Sequence, residues 1–221
     1  MLQSQLTGKG PTAQRAREAL VERLKEQGIA NEVVLQAFIK IPRHIFVDEA
    51  LAYRAYADSA LPIGHNQTLS QPYSVAKMTE LVLEVDPSKV LEIGTGSGFQ
   101  TAILAPFVDE VITIERIMPL LKKAHQRCKA LKIDNVRFFH SDGHLGHEAE
   151  GPFDAILSAA AASHLPLDLK QQLAVGGRLL LPMEQEGSDE QTLLQVDRTE
   201  TGFIETEIET VKFVPMLSGT R

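Results

Sequence analysis

The stretch that most limits what this chain can fold into is VLEIGTGSGFQTAILA, Val90 to Ala105. An apolar run rich in β-branched residues reaches Glu92, three glycines follow within five positions (Gly94, Gly96, Gly98), and a helix-like segment resumes at Phe99. The pattern is a strand, a tight turn and a helix start. Glycine is needed where the backbone takes positive φ or approaches a ligand too closely for a Cβ, and the following helix offers unpaired N–H groups at its start. Such a loop is built for a nucleotide-like cofactor.

Downstream the pattern alternates strand and helix. VLEI is followed by a helix to about Ala105, VITIE (111–115) by an amphipathic helix around 120–131, VRFFH (136–140) by a polar stretch, and FDAILS (153–158) by a helix near 167–173; RLLLP comes after Gly176 and Gly177. This order implies right-handed crossovers and a doubly wound, mostly parallel α/β sheet covered on both faces. The tail differs: TLLQVDRT and GFIETEIETVKFVPM alternate as antiparallel strands about a turn at Thr201 and Gly202. Before the core, apolar spacing predicts helices over 12–27, stopped by Gly28, and from the Asn31 cap to Lys40, ended by Pro42. Pro62, Gly64, Asn66 and Pro72 make LPIGHNQTLSQPYS a shaped loop, leaving into a helix over 71–84. One domain over 1–221 is expected, with N-terminal helices and loop (1–88), a cofactor-binding core (89–183) and C-terminal strands (184–221). The polar residues before Pro11 are expected to fray.

Composition narrows the partners. With 29 acidic and 22 basic residues the formal net charge is −7, and no Lys/Arg cluster stands out, so a nucleic-acid partner is disfavoured. No apolar run approaches the ~20 residues of a membrane span, and the start has no signal-like segment. The expectation is a cytoplasmic monomer with no membrane partner. The single Cys128 agrees, since it has no intrachain partner for a disulfide.

Two cofactor classes compete for the glycine turn. The dinucleotide fingerprint GxGxxG needs a third glycine where this chain has Phe99. Glu92 precedes the turn and Glu115 ends the next strand; an acid at Glu115 can accept from both ribose hydroxyls, whereas a pyrophosphate beside Glu92 would be repelled. S-adenosylmethionine, with a ribose, an adenine and no phosphate, fits the pair. Asp142, in HSDG, stands where an acid can meet the adenine amino group. Glu92 alone could instead cap N–H groups of the turn, and Glu115 alone could be a solvated strand end.

EIGTGSG together with IER at the end of the next strand resembles the class I methyltransferases. IPRHIFV, the loop LPIGHNQTLSQPYS, GTGSGFQTA and the tail VKFVPM are similar to the protein-L-isoaspartate O-methyltransferase family, over nearly the whole chain. The resemblance implies that Ser70 is the active-site serine and that Gln67, Thr68 and Leu69 line the cofactor with it. It further implies that Gly94, Thr95, Gly96, Ser97 and Gly98 form the cofactor turn, Glu115 and Arg116 the ribose site, and Asp142 and Gly143 the adenine site. Its implied partners are damaged proteins or peptides carrying L-isoaspartyl residues. The chain departs from the family at SDGHLGHEAE, where a Trp-containing stretch is usual, at AAAASHLP, where a proline-rich loop is usual, and at LPMEQEG, which lacks a glycine after LP. These touch the rim of the site, and they keep open a methyltransferase acting on a small carboxylate or hydroxyl compound.

An isoaspartyl carboxylate, with an ordinary pKa near ~4, is already ionised at pH 7, so in-line methyl transfer to it needs no general base. That matches a loop without a His/Asp pair. Ser70 then has two candidate roles, fixing a carboxylate oxygen or capping the helix that follows. No metal site is expected: His144 and His147 lack further ligands at sensible spacing. Amino-directed DNA methylation lacks its Asn/Asp-Pro-Pro-aromatic stretch after the fourth strand, and cytosine-C5 methylation lacks a loop cysteine. The alternating tail around VKFVPM offers an edge to which an extended peptide could add as a strand.

Overall fold

The computed structural model describes residues 11–185, 187–188 and 190–221; the segment expected to fray before Pro11 lies outside them. Helix α1 (Pro11–Glu26) buries Leu20, Val21 and Leu24 on one stripe. Helix α2 (Glu32–Lys40) starts where the Asn31 side chain accepts the N–H groups of Val33 and Val34 at 3.1 and 3.3 Å. Two short 3₁₀ turns, Arg43–Phe46 and Glu49–Arg54, lead to a hairpin of β1 (Leu61–Gly64) and β2 (Gln67–Leu69). The expected shaped loop thus contains a small ladder, closed by His65 and Asn66, both at positive φ (55° and 59°) as a two-residue turn between twisted strands requires. Helix α3 (Pro72–Leu83) leaves it.

Strands buried on both faces read as near-continuous apolar runs. The core strands β3 (Lys89–Ile93), β4 (Glu110–Glu115) and β6 (Phe153–Ser158) do so, and Leu91 pairs with Ile112 on one side and Ile156 on the other. With β5 (Val136–His140), β8 (Leu173–Glu184), β9 (Gln191–Thr199) and β10 (Gly202–Val211) they form a seven-stranded sheet in the order β10-β9-β8-β6-β3-β4-β5. Pairings among β3, β4, β5, β6 and β8 are parallel, while β9 and β10 are antiparallel, so the fold is the doubly wound α/β class with antiparallel C-terminal strands. A second, two-residue ladder joins β7 (Ala160–Ala161) to β11 (Val214–Pro215) in parallel. Among the described residues no helix is long and apolar enough to cross a membrane.

Helices α4 (Phe99–Leu104), α5 (Met118–Ala130) and α6 (Leu167–Gln171) connect the core strands. The first ends at Leu104, within a residue of the expected end, and passes into a 3₁₀ turn (Ala105–Phe107) that contains Pro106. The last stops early because Leu173 already pairs with Phe153 as the start of β8.

Helix α4 is entered through Gly98 at φ +86°, where a Cβ would sit 3.0 Å from the Ala124 Cβ on α5. Gly98→Ala is therefore expected to destabilise the protein by about 1–3 kcal/mol, read from urea unfolding midpoints; an unchanged midpoint would mean that the turn adapts without strain.

Candidate active site

In an open α/β sheet the crevice lies beyond the carboxyl ends of the strands, where the strand order reverses. Here that point is between β3 and β6, since β4 and β5 follow on one side of β3 and β6 returns on the other. The glycine turn is moulded there by the end of β4. Gly94 and Thr95 N–H both donate to the Ile114 carbonyl (2.8 and 3.1 Å), and Gly98 N–H closes onto the Thr95 carbonyl at 2.8 Å. Gly96 N–H donates to Glu115 Oε2 and Ile117 N–H to Oε1, each at 2.8 Å. Arg127 on α5 donates to the Ser97 carbonyl at 3.0 Å. Burial pushes the Glu115 carboxyl above its ordinary range, with the amides of Gly96 and Ile117 pulling against it.

Against this turn lies a cleft of about 770 Å³, counting the open space at its mouth. Of the residues expected at the site, Gln67, Thr68, Leu69, Ser70, Gly94, Gly96, Ser97, Glu115, Arg116 and Gly143 line it. Glu92, Thr95, Gly98 and Asp142 do not. Glu92 lies wholly beneath the turn, its Oε2 accepting the hydroxyls of Thr101 (2.5 Å) and Thr113 (2.7 Å), while Oε1 has no partner among the described residues. Thr95 joins that network through a 2.6 Å contact between its hydroxyl and that of Thr113, and Gly98 faces α5. Asp142 is bonded within the fold: Oδ1 accepts from His144 N–H and its ring (2.9 and 3.0 Å), and Oδ2 from Gly219 N–H at 2.5 Å. Burial opposes its ionisation, but the Gly219 and His144 bonds outweigh it and hold the carboxyl below the usual range. The His147 ring lies tilted against that of Phe139, with centroids 4.1 Å apart, so His144 and His147 are engaged separately.

The helix-capping role foreseen for Ser70 is filled by other residues. Because the residue before proline favours extended backbone, Gln71 (φ −53°, ψ 140°) is the N-cap residue and Pro72 is the first helical residue. The carboxylate of Asp58 accepts Tyr73 N–H at 3.3 Å and the Gln71 side chain at 3.1 Å, meeting the helix start from 13 to 15 residues away in the chain. The Ser70 hydroxyl bonds to nothing among the described residues and sits at the cleft wall.

Of the lining residues not foreseen at the site, two sets shape it most. Gln100 lines the cleft, nearly buried, with its amide on Thr79 Oγ1 at 3.0 Å; it lies inside the GFQTA motif, which was its only signal. Val214 to Leu217 form a wall because β11 pairs with β7, a contact of more than fifty residues' separation that no local pattern announces. That pairing also occupies one edge of the tail: Met216 N–H donates to the Ala161 carbonyl at 2.6 Å. Beyond it the chain crosses the end of β4, where Arg116 donates to the carbonyls of Gly219 (2.9 Å) and Ser218 (3.2 Å) and Arg221 donates to the carbonyl of His65 at 2.8 Å.

Among the described residues, Glu115 and Arg116 are the only ionisable ones lining the cleft, and Arg116 is taken up by the tail. The Gly96 amide, which a dinucleotide fold would turn to pyrophosphate, is bonded to a carboxylate instead. These walls fit a ribose, an apolar-walled base and a sulfonium, and disfavour a phosphate. Fold and site together define a class I S-adenosylmethionine-dependent methyltransferase. More narrowly, the chain belongs to the family described as protein-L-isoaspartate(D-aspartate) O-methyltransferase (PCMT), whose model matches residues 14–221. Among its relatives, the protein-L-isoaspartate O-methyltransferase of Saccharophagus degradans is 54% identical over 218 residues, covering 97% of this chain and 96% of the relative. That of Dechloromonas aromatica is 51% identical, covering 98% and 100%. A crystal structure of a beta-aspartate methyltransferase (PCMT) from Plasmodium falciparum with S-adenosyl-L-homocysteine superposes with a TM-score of 0.80 at 29% identity, over 91% of this chain and 98% of that one.

Burial pushes the Glu92 carboxyl up to about 7 from 4.5, against the pull of the Thr101 and Thr113 hydroxyls. Between those values the folded protein binds more protons than the unfolded chain, so this group's contribution is full below pH 4.5 and is lost as pH rises through 7. Relative to Glu92→Gln, the wild type is expected to lose roughly 3 kcal/mol of unfolding free energy across that window, read from urea titrations at a series of pH values. Parallel pH profiles for the two proteins would place the Glu92 carboxyl in its ordinary range.

Proposed function

We propose that this protein transfers the methyl group of S-adenosylmethionine to the free carboxylate of L-isoaspartyl residues in damaged polypeptides, with Ser70 orienting the acceptor. The observation that carries the reading is that the unpartnered Ser70 hydroxyl and the turn Gly94–Ser97 face one cleft. When bound, the cofactor supplies a methyl group activated by a sulfonium. Glu115 suits the ribose hydroxyls, since each of its oxygens keeps acceptor capacity beyond its backbone bond. Gly143 allows close approach opposite Ile93, where a Cβ would come within 2.4 Å of the Ile93 Cγ2. Among its described lining residues the cleft offers no free general base, and an acceptor that ordinarily ionises near pH ~4 needs none. The Ser70 hydroxyl donates to one carboxylate oxygen and so aligns the other with the methyl group; much of the acceleration then comes from alignment and exclusion of water.

The acceptor is a length of main chain, and the edge of β11 not paired with β7 is where an extended peptide would add. Equal methylation of peptides N-methylated beside the isoaspartate would contradict that placement. A cytoplasmic monomer acting without nucleic acid completes the proposal; the net charge of −7 supports the lack of a nucleic-acid partner, and the lone Cys128, which has no intrachain disulfide partner, agrees with the cytoplasm.

The test supplies methyl-labelled cofactor with matched peptides carrying isoaspartate or aspartate. Base-labile methyl ester is expected on the isoaspartyl peptide alone, and label on neither would sink the reading. Ser70→Ala is expected to lower kcat at least ~10-fold while cofactor affinity stays within about twofold, as loss of a positioning bond should.

A further inference from the structure

Arg43 takes no part in the chemistry above, yet among the described residues it is the largest side chain that the fold buries completely, at 0% exposure. No carboxylate bonds to it among the described residues. Its Nε donates to the Ala55 carbonyl at 2.8 Å, and its Nη2 donates to the Ser70 carbonyl at 2.7 Å and, at 3.4 Å, to that of Ser59; Nη1 has no partner among the described residues. The guanidinium lies over the Phe99 ring, 4.8 Å from its centroid. Phe99 is the first residue of α4, directly after the glycine turn. One side chain therefore touches both the main chain of the acceptor loop and the helix that leaves the donor turn.

A buried guanidinium that no carboxylate hydrogen-bonds, with the Asp58 charge acting on it only through space, is a costly way to fill space, and an aliphatic side chain of similar size would pack without that cost. What a guanidinium adds is a rigid fork of donors. Its bond to the Ser70 carbonyl fixes the peptide plane between Ser70 and Gln71 and hence ψ of Ser70. The plane on the other side is fixed by the pairing of Leu69 with Leu61. With both neighbouring planes held, the direction of the Ser70 Cα–Cβ bond is set. We propose that Arg43 is a positioning residue that acts through the Ser70 main chain, aiming the Ser70 hydroxyl into the cleft in register with the donor turn by resting on Phe99. The inference rests on the reading that Ser70 orients the acceptor carboxylate.

The test is a double-mutant cycle of Arg43→Lys with Ser70→Ala, measuring kcat and peptide KM for isoaspartyl methylation, S-adenosylhomocysteine affinity and thermal melting. Arg43→Lys keeps the charge and loses the fork; Arg43→Gln serves if the lysine variant does not fold. Arg43→Lys is expected to lower kcat about tenfold or more in the wild-type background, with S-adenosylhomocysteine affinity within about threefold, and to lower kcat less than about threefold once Ser70 is alanine. Equal losses in both backgrounds, or a loss of cofactor affinity matching that of kcat, would overturn the role. So would failure of both Arg43 variants to melt cooperatively, which would assign the residue to folding. A Ser70→Ala protein with the wild-type rate sinks the Ser70 reading itself, whereas a slow Ser70→Ala with equal Arg43 losses sinks the Arg43 role alone.

Discussion

The carboxylate of Glu115 is the interaction from which the site takes its shape. One oxygen holds Gly96 N–H and the other Ile117 N–H, so the end of β4 fixes both the loop after β3 and the entry to α5. The Ile114 carbonyl, one residue earlier, takes the N–H groups of Gly94 and Thr95. A strand end thus serves as the template for its neighbour's turn. It also spends, on a fixed negative group, an amide that other nucleotide folds turn toward phosphate, which decides the charge of the ligand the crevice accepts.

Beneath that turn the polar layer continues through hydroxyls. Thr95, Thr113 and Thr101 connect the glycine loop to Glu92, a carboxyl with no solvent exposure. Glu92 therefore acts on the loop from below, through side chains that each have few ways to reorganise. Two acids flank the turn, one in contact with the cleft and one shut away from it, and only the first can meet a ligand.

Where the sequence was informative, the information was local. The apolar runs of β3, β4 and β6 foretold a buried parallel sheet, because that pattern depends on residues a few positions apart; the repulsion of a pyrophosphate expected of Glu92 falls instead to Glu115, which bonds the Gly96 amide from the next strand. The misreadings share a different cause. Ser70 looked like a helix cap because nothing nearby competes for that role, yet Asp58 meets Tyr73 N–H across the hairpin. Asp142 was read as a residue facing a base, and nothing in the sequence signals that Gly219, 77 residues away, also bonds it. Glu92 precedes the glycines just as a ligand-facing acid would, and only the pleat of β3 determines that it points inward. Long-range closure leaves no periodic trace in sequence.

The wall contributed by 214–217 also bears on the order in which the molecule is made. Parallel strands of the core are complete by Glu184, while the segment that closes the cleft emerges from synthesis some thirty residues later and must return to Ala160. A nascent chain can bury most of its sheet before it has anywhere to hold a cofactor. A chain cut short before Val214 would keep the residues of its seven strands and the glycine turn while lacking one wall of the cleft.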